Sequence, residues 1–186
     1  MWQQNIDEQM TKYQISKIME MIKQRIEDQE FQLWFTEIHN DKGRKDSQKN
    51  KLRTYRKFKT NYKREEYLCE VKNIKHRISM TKFRISDHCL EIEKGRYTRP
   101  YTKPEDRVCK LCNNAVEDEA HFLFFCPQYS NEREELFLTI NKKTNHQFNT
   151  LDNSTKFLYI MNASKELQKI IAKYIYICFK KKNLNN

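Results

Sequence analysis

Three cysteines and a histidine fall within the stretch "RVCKLCNNAVEDEAHFLFFCPQY", residues 107–129. Their spacing is C-x2-C-x8-H-x4-C: Cys109, Cys112, His121 and Cys126. A structural zinc ion takes four nitrogen or sulfur ligands in a tetrahedron, and Cys3His is one of its usual sets. Two residues between the first pair let the backbone turn beneath a metal. The Asn113-Asn114 pair suits that turn, because asparagine tolerates positive φ. Glu117, Asp118 and Glu119 suit the positive N-terminus of a short helix carrying His121. Pro127 steers Cys126 out of helical geometry and so back toward the metal.

Other readings of these four residues stay open. They could be reduced core thiols beside an ordinary histidine, or a redox C-x-x-C, although no βαβ pattern surrounds the pair. Four protein ligands leave no position for water, which favours a structural over a catalytic ion. The spacing predicts one Zn2+, with Cys69, Cys89 and Cys178 outside the site. Phe122, Leu123, Phe124, Phe125 and Tyr129 are expected to pack around it. Three thiolates on one dication leave a net negative charge, which Arg107 and Lys110 are expected to offset.

The elements that must carry this site are helical. Only two glycines and three prolines occur among 186 residues, so chain breakers are scarce. The expected fold is mainly α: a bundle-like arrangement of helices around the Cys3His module, with little or no β. Asn5 with Glu8 makes a capping box, and Ile15, Ile18, Met19, Ile22 and Ile26 follow at helical spacing. "FQLWF" (31–35), after Asp28, starts a second short helix. Residues 1–39 thus read as N-terminal amphipathic helices and 40–51 as a basic flexible linker.

Residues 52–84 read as a basic helical segment. Leu52, Tyr55, Phe58 and Tyr62 approximate one face, and Tyr67, Val71, Ile74 and Ile78 make a second. Arg53, Arg56, Lys57, Lys72, His76, Arg77 and Arg84 point elsewhere. Residues 85–129 form the zinc module, with a short strand predicted at "CLEIE" (89–93) and a turn at Gly95. In 130–186, Asn131 and Glu134 cap a helix carrying Leu136, Phe137 and Ile140, and a polar loop runs up to Ser154. The last helix aligns Leu167, Ile170, Ile171, Tyr174, Ile175, Cys178 and Phe179, with Lys180–Lys182 at its C-terminal end.

The formal net charge is +11. Such a balance points to a polyanionic partner, nucleic acid first. No secretory signal and no apolar run long enough to span a membrane is apparent. A reducing nuclear or cytoplasmic setting is therefore expected, where clustered cysteines bind metal more often than they pair. Between Lys42 and Arg84 basic residues alternate with aromatics, as in surfaces that track a nucleic-acid backbone. The helical spacing of the aromatics assigns them to the core. Arg53, Arg56, Lys57, Lys72, Arg77 and Arg84 are the candidate phosphate contacts, positional and without base readout.

Three runs occur in order: "KLRTYRKFKTNYKREEYL", "KHRISMTKFRISDHCLEIEKGRY" and "RVCKLCNNAVEDEAHFLFFCPQY". Together they resemble the C-terminal region of reverse-transcriptase polyproteins from non-LTR (LINE-type) retrotransposons, which ends in a CCHC zinc-binding segment. H-F-L-x-x-C-P and the E-x-G-R-Y run are the most specific parts. The resemblance implies that Cys109, Cys112, His121 and Cys126 ligate zinc, and that the role is nucleic-acid binding during RNA capture or target-site priming. Neither a polymerase Y-x-D-D motif nor an endonuclease segment accompanies it. The ligand spacing also differs from retroviral knuckles, so their base-stacking residues do not transfer.

No nucleophile–base pair, phosphate loop or paired carboxylates are apparent, so no enzyme is expected. The competing reading is a protein-interaction domain, zinc-stabilised, that uses its amphipathic terminal helices to bind a partner or itself. The stripe from Leu167 to Phe179 is either core or a dimer seam, with core the default. His88 is expected to be a structural histidine near the zinc module.

Overall fold

The protein is described by a computed structural model. It describes the backbone of residues 2–40, 45, 49, 51–145 and 147–184, with side chains from residue 11 onward. Most of the expected linker 40–51 lies outside the described residues. The chain forms two compact units, residues 1–42 and 43–186.

The first unit is a single helix, α1, Trp2–His39. The two helices expected here are thus one. Asp28 does not break it, because its carboxylate accepts a hydrogen bond from Gln24 Nε2 (2.9 Å) along the helix surface instead of capping a new start. Asn5 lies inside α1 and not ahead of it; its side chain and that of Glu8 are outside the described residues.

The second unit holds α2 Tyr55–Phe58, α3 Tyr67–Glu70, α4 Ile74–Arg84, α5 Glu91–Lys94, α6 Ser130–Lys143, α7 Asn153–Met161 and α8 Lys165–Leu184. Helix α8 is the axis, with α3, α4 and α6 packed against it. Its stripe Leu167, Ile171, Tyr174, Ile175, Cys178 and Phe179 is buried. This stripe is therefore core and not a dimer seam. A mainly α architecture is what the scarcity of breakers and the helical periodicities predict. Among the described residues, β pairing is limited to one isolated antiparallel bridge, Val108 with Val116.

Several expected elements differ in detail. The face Tyr67–Val71–Ile74–Ile78 is split between two helices. Val71 leaves helical geometry at ψ 92, and Asn73 then caps α4, its side chain accepting from the backbone N–H of Lys75 (3.0 Å) and His76 (3.2 Å). Tyr67 and Val71 stay buried while Ile74 and Ile78 face solvent. Removing this cap by Asn73→Ala should cost about 1 kcal/mol, read as a lower urea midpoint at unchanged m-value.

The face Leu52–Tyr62 ends early, because Lys59 adopts extended geometry after α2. The strand expected at 89–93 is helix α5. Its alternate residues Glu91 and Glu93 are not solvent-facing polar positions but buried carboxylates held by basic partners. Helix α6 begins at Ser130, so Asn131 lies in its first turn. The polar loop ends earlier than Ser154, since Asp152 caps α7 through the N–H groups of Ser154 and Thr155.

Gly95 ends α5 at φ −62, so its backbone needs no glycine there. Space does. A Cβ at this position would lie 2.6 Å from Arg107 Cγ, Cδ and Nε. The glycine lets the Arg107 guanidinium pass beneath and donate to the carbonyls of Ile92 (2.7 Å) and Thr102 (2.9 Å).

Candidate metal centre

Cys109 and Cys112 sit on a tight reversal between Val108 and Val116. Cys109 N–H donates to Ala115 O (2.9 Å), and Asn113 N–H to Cys109 O (2.8 Å). Asn113 takes φ 55, the left-handed conformation expected of it. His121 opens a π-helical turn, His121–Phe125. Asp118 starts this segment, its Oδ1 accepting from His121 N–H at 2.7 Å. The wide turn closes with Cys126 N–H on His121 O (2.8 Å), a five-residue step of the kind frequent at functional sites. Cys126, before Pro127, then leaves the helix at ψ 119, as that proline predicts.

The result is convergence. One ligand atom from each of Cys109, Cys112, His121 and Cys126 lies within 4.8 Å of every other. Cys109 Sγ is 3.9 Å from Cys126 Sγ, and Cys112 Sγ is 3.3 Å from His121 Nε2. A tetrahedral ion with Zn–S near 2.3 Å and Zn–N near 2.0 Å requires ligand–ligand edges of about 3.5–3.8 Å. The donor set therefore fits a metal ion, with Nε2 as the imidazole ligand.

Burial pushes the Cys109 thiol up to about 12 and raises Cys126 as well. Burial also lowers His121, keeping the imidazole neutral and ready to coordinate. A cation at the centre of the four would supply the positive charge that two desolvated thiolates need.

A carboxylate and an ammonium lie directly behind the cluster, and neither was expected in this role. Glu117 is fully buried, and its Oε1 is 3.4 Å from Cys109 Sγ. Lys182 is also fully buried, and its Nζ donates to Glu117 Oε1 (2.8 Å) and Oε2 (2.7 Å). Glu91 N–H adds a third donor to Glu117 at 2.8 Å. The offset expected from Arg107 and Lys110 is thus differently arranged. Arg107 serves the two carbonyls described above, Lys110 pairs with Glu91 at 3.2 Å, and Lys182 is the cation nearest the site's own carboxylate. The α8 stripe already carried the signal: position 182 is four residues past Cys178, on its buried face.

Glu119 forms a second buried node. It accepts from His88 Nε2 (2.8 Å), Ser86 Oγ (3.1 Å) and Arg53 Nη2 (2.5 Å). Burial would raise its carboxyl, but the hydrogen bond and charge of His88, with Arg53, outweigh this and hold it well below the usual carboxylate range. His88 is therefore a structural histidine bound to Glu119 and lies outside the Cys3His cluster. Its ring also approaches Phe83 and Phe179.

The six basic residues singled out by sequence do not form one surface. Arg84 is a correction: it is buried, its guanidinium donates to Glu65 Oε2 and Met161 O at 2.5 Å each, and it lies 4.3 Å from the Phe58 ring centre. Desolvated and matched this way, it belongs to the core. Arg53 bridges Glu93 (2.6 Å) and Glu119. Arg77 donates to Val71 O (2.9 Å) and Arg56 to Leu52 O (3.2 Å), both half-buried. Lys57 and Lys72 are exposed.

Comparison with protein-family models, curated proteins and solved structures finds no match. Among the described residues, no helix is long and apolar enough to cross a membrane.

Proposed function

We propose that Cys109, Cys112, His121 and Cys126 hold a structural Zn2+, and that the unit they stabilise binds nucleic acid through its phosphates. The convergence of four soft and borderline donors within 4.8 Å of one another carries the metal reading. The net charge of +11 supports the partner class. The ordered likeness to the tail of LINE-type retrotransposon polyproteins supports both. Exposed Lys57 and Lys72, with their exposed neighbours Lys63, Arg64 and Lys75, are the contacts this reading favours. Arg53 acts indirectly, by holding Glu93 and Glu119 in place, and Arg84 is not part of the contact set.

Fluorescence anisotropy with single-stranded RNA and DNA over a salt series tests this. Affinity should fall linearly on a log–log plot, with a slope of about −0.7 per phosphate neutralised. Lys57→Gln and Lys72→Gln should each weaken binding to all sequences alike and make the slope shallower by roughly that amount. Absence of binding to both polymers at low salt, or binding indifferent to salt, would refute the nucleic-acid reading and leave the metal reading intact.

A further inference from the structure

Helix α1 carries an exposed apolar surface. Ile15 (56% exposed), Met19 (61%), Ile22 (48%), Ile26 (51%) and Leu33 (67%), with the polar Gln29 between the last two, fall at alternating steps of four and three residues. This is the a/d spacing of a coiled-coil seam, with Ile15, Ile22 and Gln29 at d, and Met19, Ile26 and Leu33 at a. Ile18, 55% exposed, flanks the seam at a g position and widens it. A helix of 38 residues whose apolar stripe meets water draws little stability from packing, which is where most helical stability arises. We propose that α1 is a self-association element, pairing in parallel with α1 of further copies of this chain.

Charge decides both occupant and direction. In this frame Arg25 falls at g and Glu30 at the following e position, along with Lys23 at the preceding e. In a parallel pairing g meets the e position five residues further along the neighbouring helix, so Arg25 faces Glu30 reciprocally across the seam. The antiparallel alignment that best matches the apolar residues sets Met19 against Gln29 and Ile22 against Ile26. It also brings Arg25 opposite Arg25 and Lys23 opposite Lys23, both repulsive. A self-complementary g/e pattern is a property of identical helices in register, which favours a second copy over an unrelated partner. Gln29, polar at d, helps fix that register. The α8 stripe cannot compete for the role, because it is buried in the second unit.

Sedimentation equilibrium on the full, metal-loaded, nuclease-treated chain is the test. The wild type should have a mass that is a multiple of the monomer, and a monomer at every concentration overturns the proposal. The double variant Ile22→Asp/Ile26→Asp should be monomeric while keeping its metal stoichiometry; persistence of the same oligomer would place the contact elsewhere and overturn it. Arg25→Glu should weaken association on the order of tenfold, since two attractive contacts per pair become repulsive, and adding Glu30→Arg should restore it. Association of Arg25→Glu as tight as that of the wild type, as an antiparallel pairing requires because one like-charge contact replaces another, would overturn the assigned direction.

Discussion

Replacing Cys112 with serine is expected to abolish zinc binding at the proposed site and to unfold residues 108–129, with a loss that reaches the helical core. Structural zinc contributes on the order of 10 kcal/mol of apparent folding free energy in small metal-dependent folds, which is comparable to the whole stability of a typical domain. The route from metal to core is short. Phe122, next to His121, packs within 5.3 Å of both Phe83 on α4 and Phe179 on α8, and within 5.0 Å of Tyr129. Freeing His121 from the metal therefore loosens the ring cluster that joins α4 to α8. Elemental analysis should give one zinc per wild-type chain and a substoichiometric value for Cys112→Ser. Hydrogen exchange should show lost protection over 108–129 first and over α4 and α8 next. Cys178→Ser is the control: it perturbs the same core without removing a ligand and should keep its zinc. Full zinc occupancy in the Cys112→Ser protein would overturn the assignment of the ligands.

What the sequence made legible divides by the range of the interaction. Asn113, Pro127 and the convergence of Cys109, Cys112, His121 and Cys126 were readable because each acts over a few residues: a left-handed turn, a pre-proline extension, a short spacing. The α8 stripe was readable because its period of about 3.6 residues survives from Leu167 to Phe179, about three and a half turns. Short periodic runs misled. Tyr67–Ile78 fits a helical face, yet Asn73 offers the backbone N–H groups a side-chain acceptor, and the chain breaks there. The alternation at 89–93 resembles a half-buried strand, but it holds two buried carboxylates whose partners, Arg53, Arg96, Lys110 and Lys182, come from four separate places in the sequence. Arg84 failed for the same reason. A cation is read as exposed by default, and only the tertiary meeting of Glu65, Phe58 and Tyr67 makes a buried site for it.

Lys182→Met is expected to be the most damaging substitution outside the ligands. The Lys182 side chain is 0% exposed and that of Glu117 1%, with 2.7 Å between Nζ and Oε2. Methionine fills much of the lysine's volume, so packing is largely kept and the electrostatic effect is isolated. Left alone, Glu117 would be a buried carboxylate facing Cys109 Sγ at 3.4 Å, and in the zinc-bound state that sulfur is a thiolate. Removing one member of a buried pair costs about 3–5 kcal/mol, which for a chain of this size lowers Tm by roughly 10 °C or more. Glu117→Gln should also destabilise, since Lys182 then loses its carboxylate partner at 2.7 Å, with Glu91 lying 3.8 Å away. The double variant Lys182→Met/Glu117→Gln should recover much of either loss, because no uncompensated charge remains. Urea melts of the zinc-loaded single and double variants measure the coupling directly. Single-variant losses below about 1 kcal/mol, the range of exposed ion pairs, would show that this pair does not underpin the metal centre.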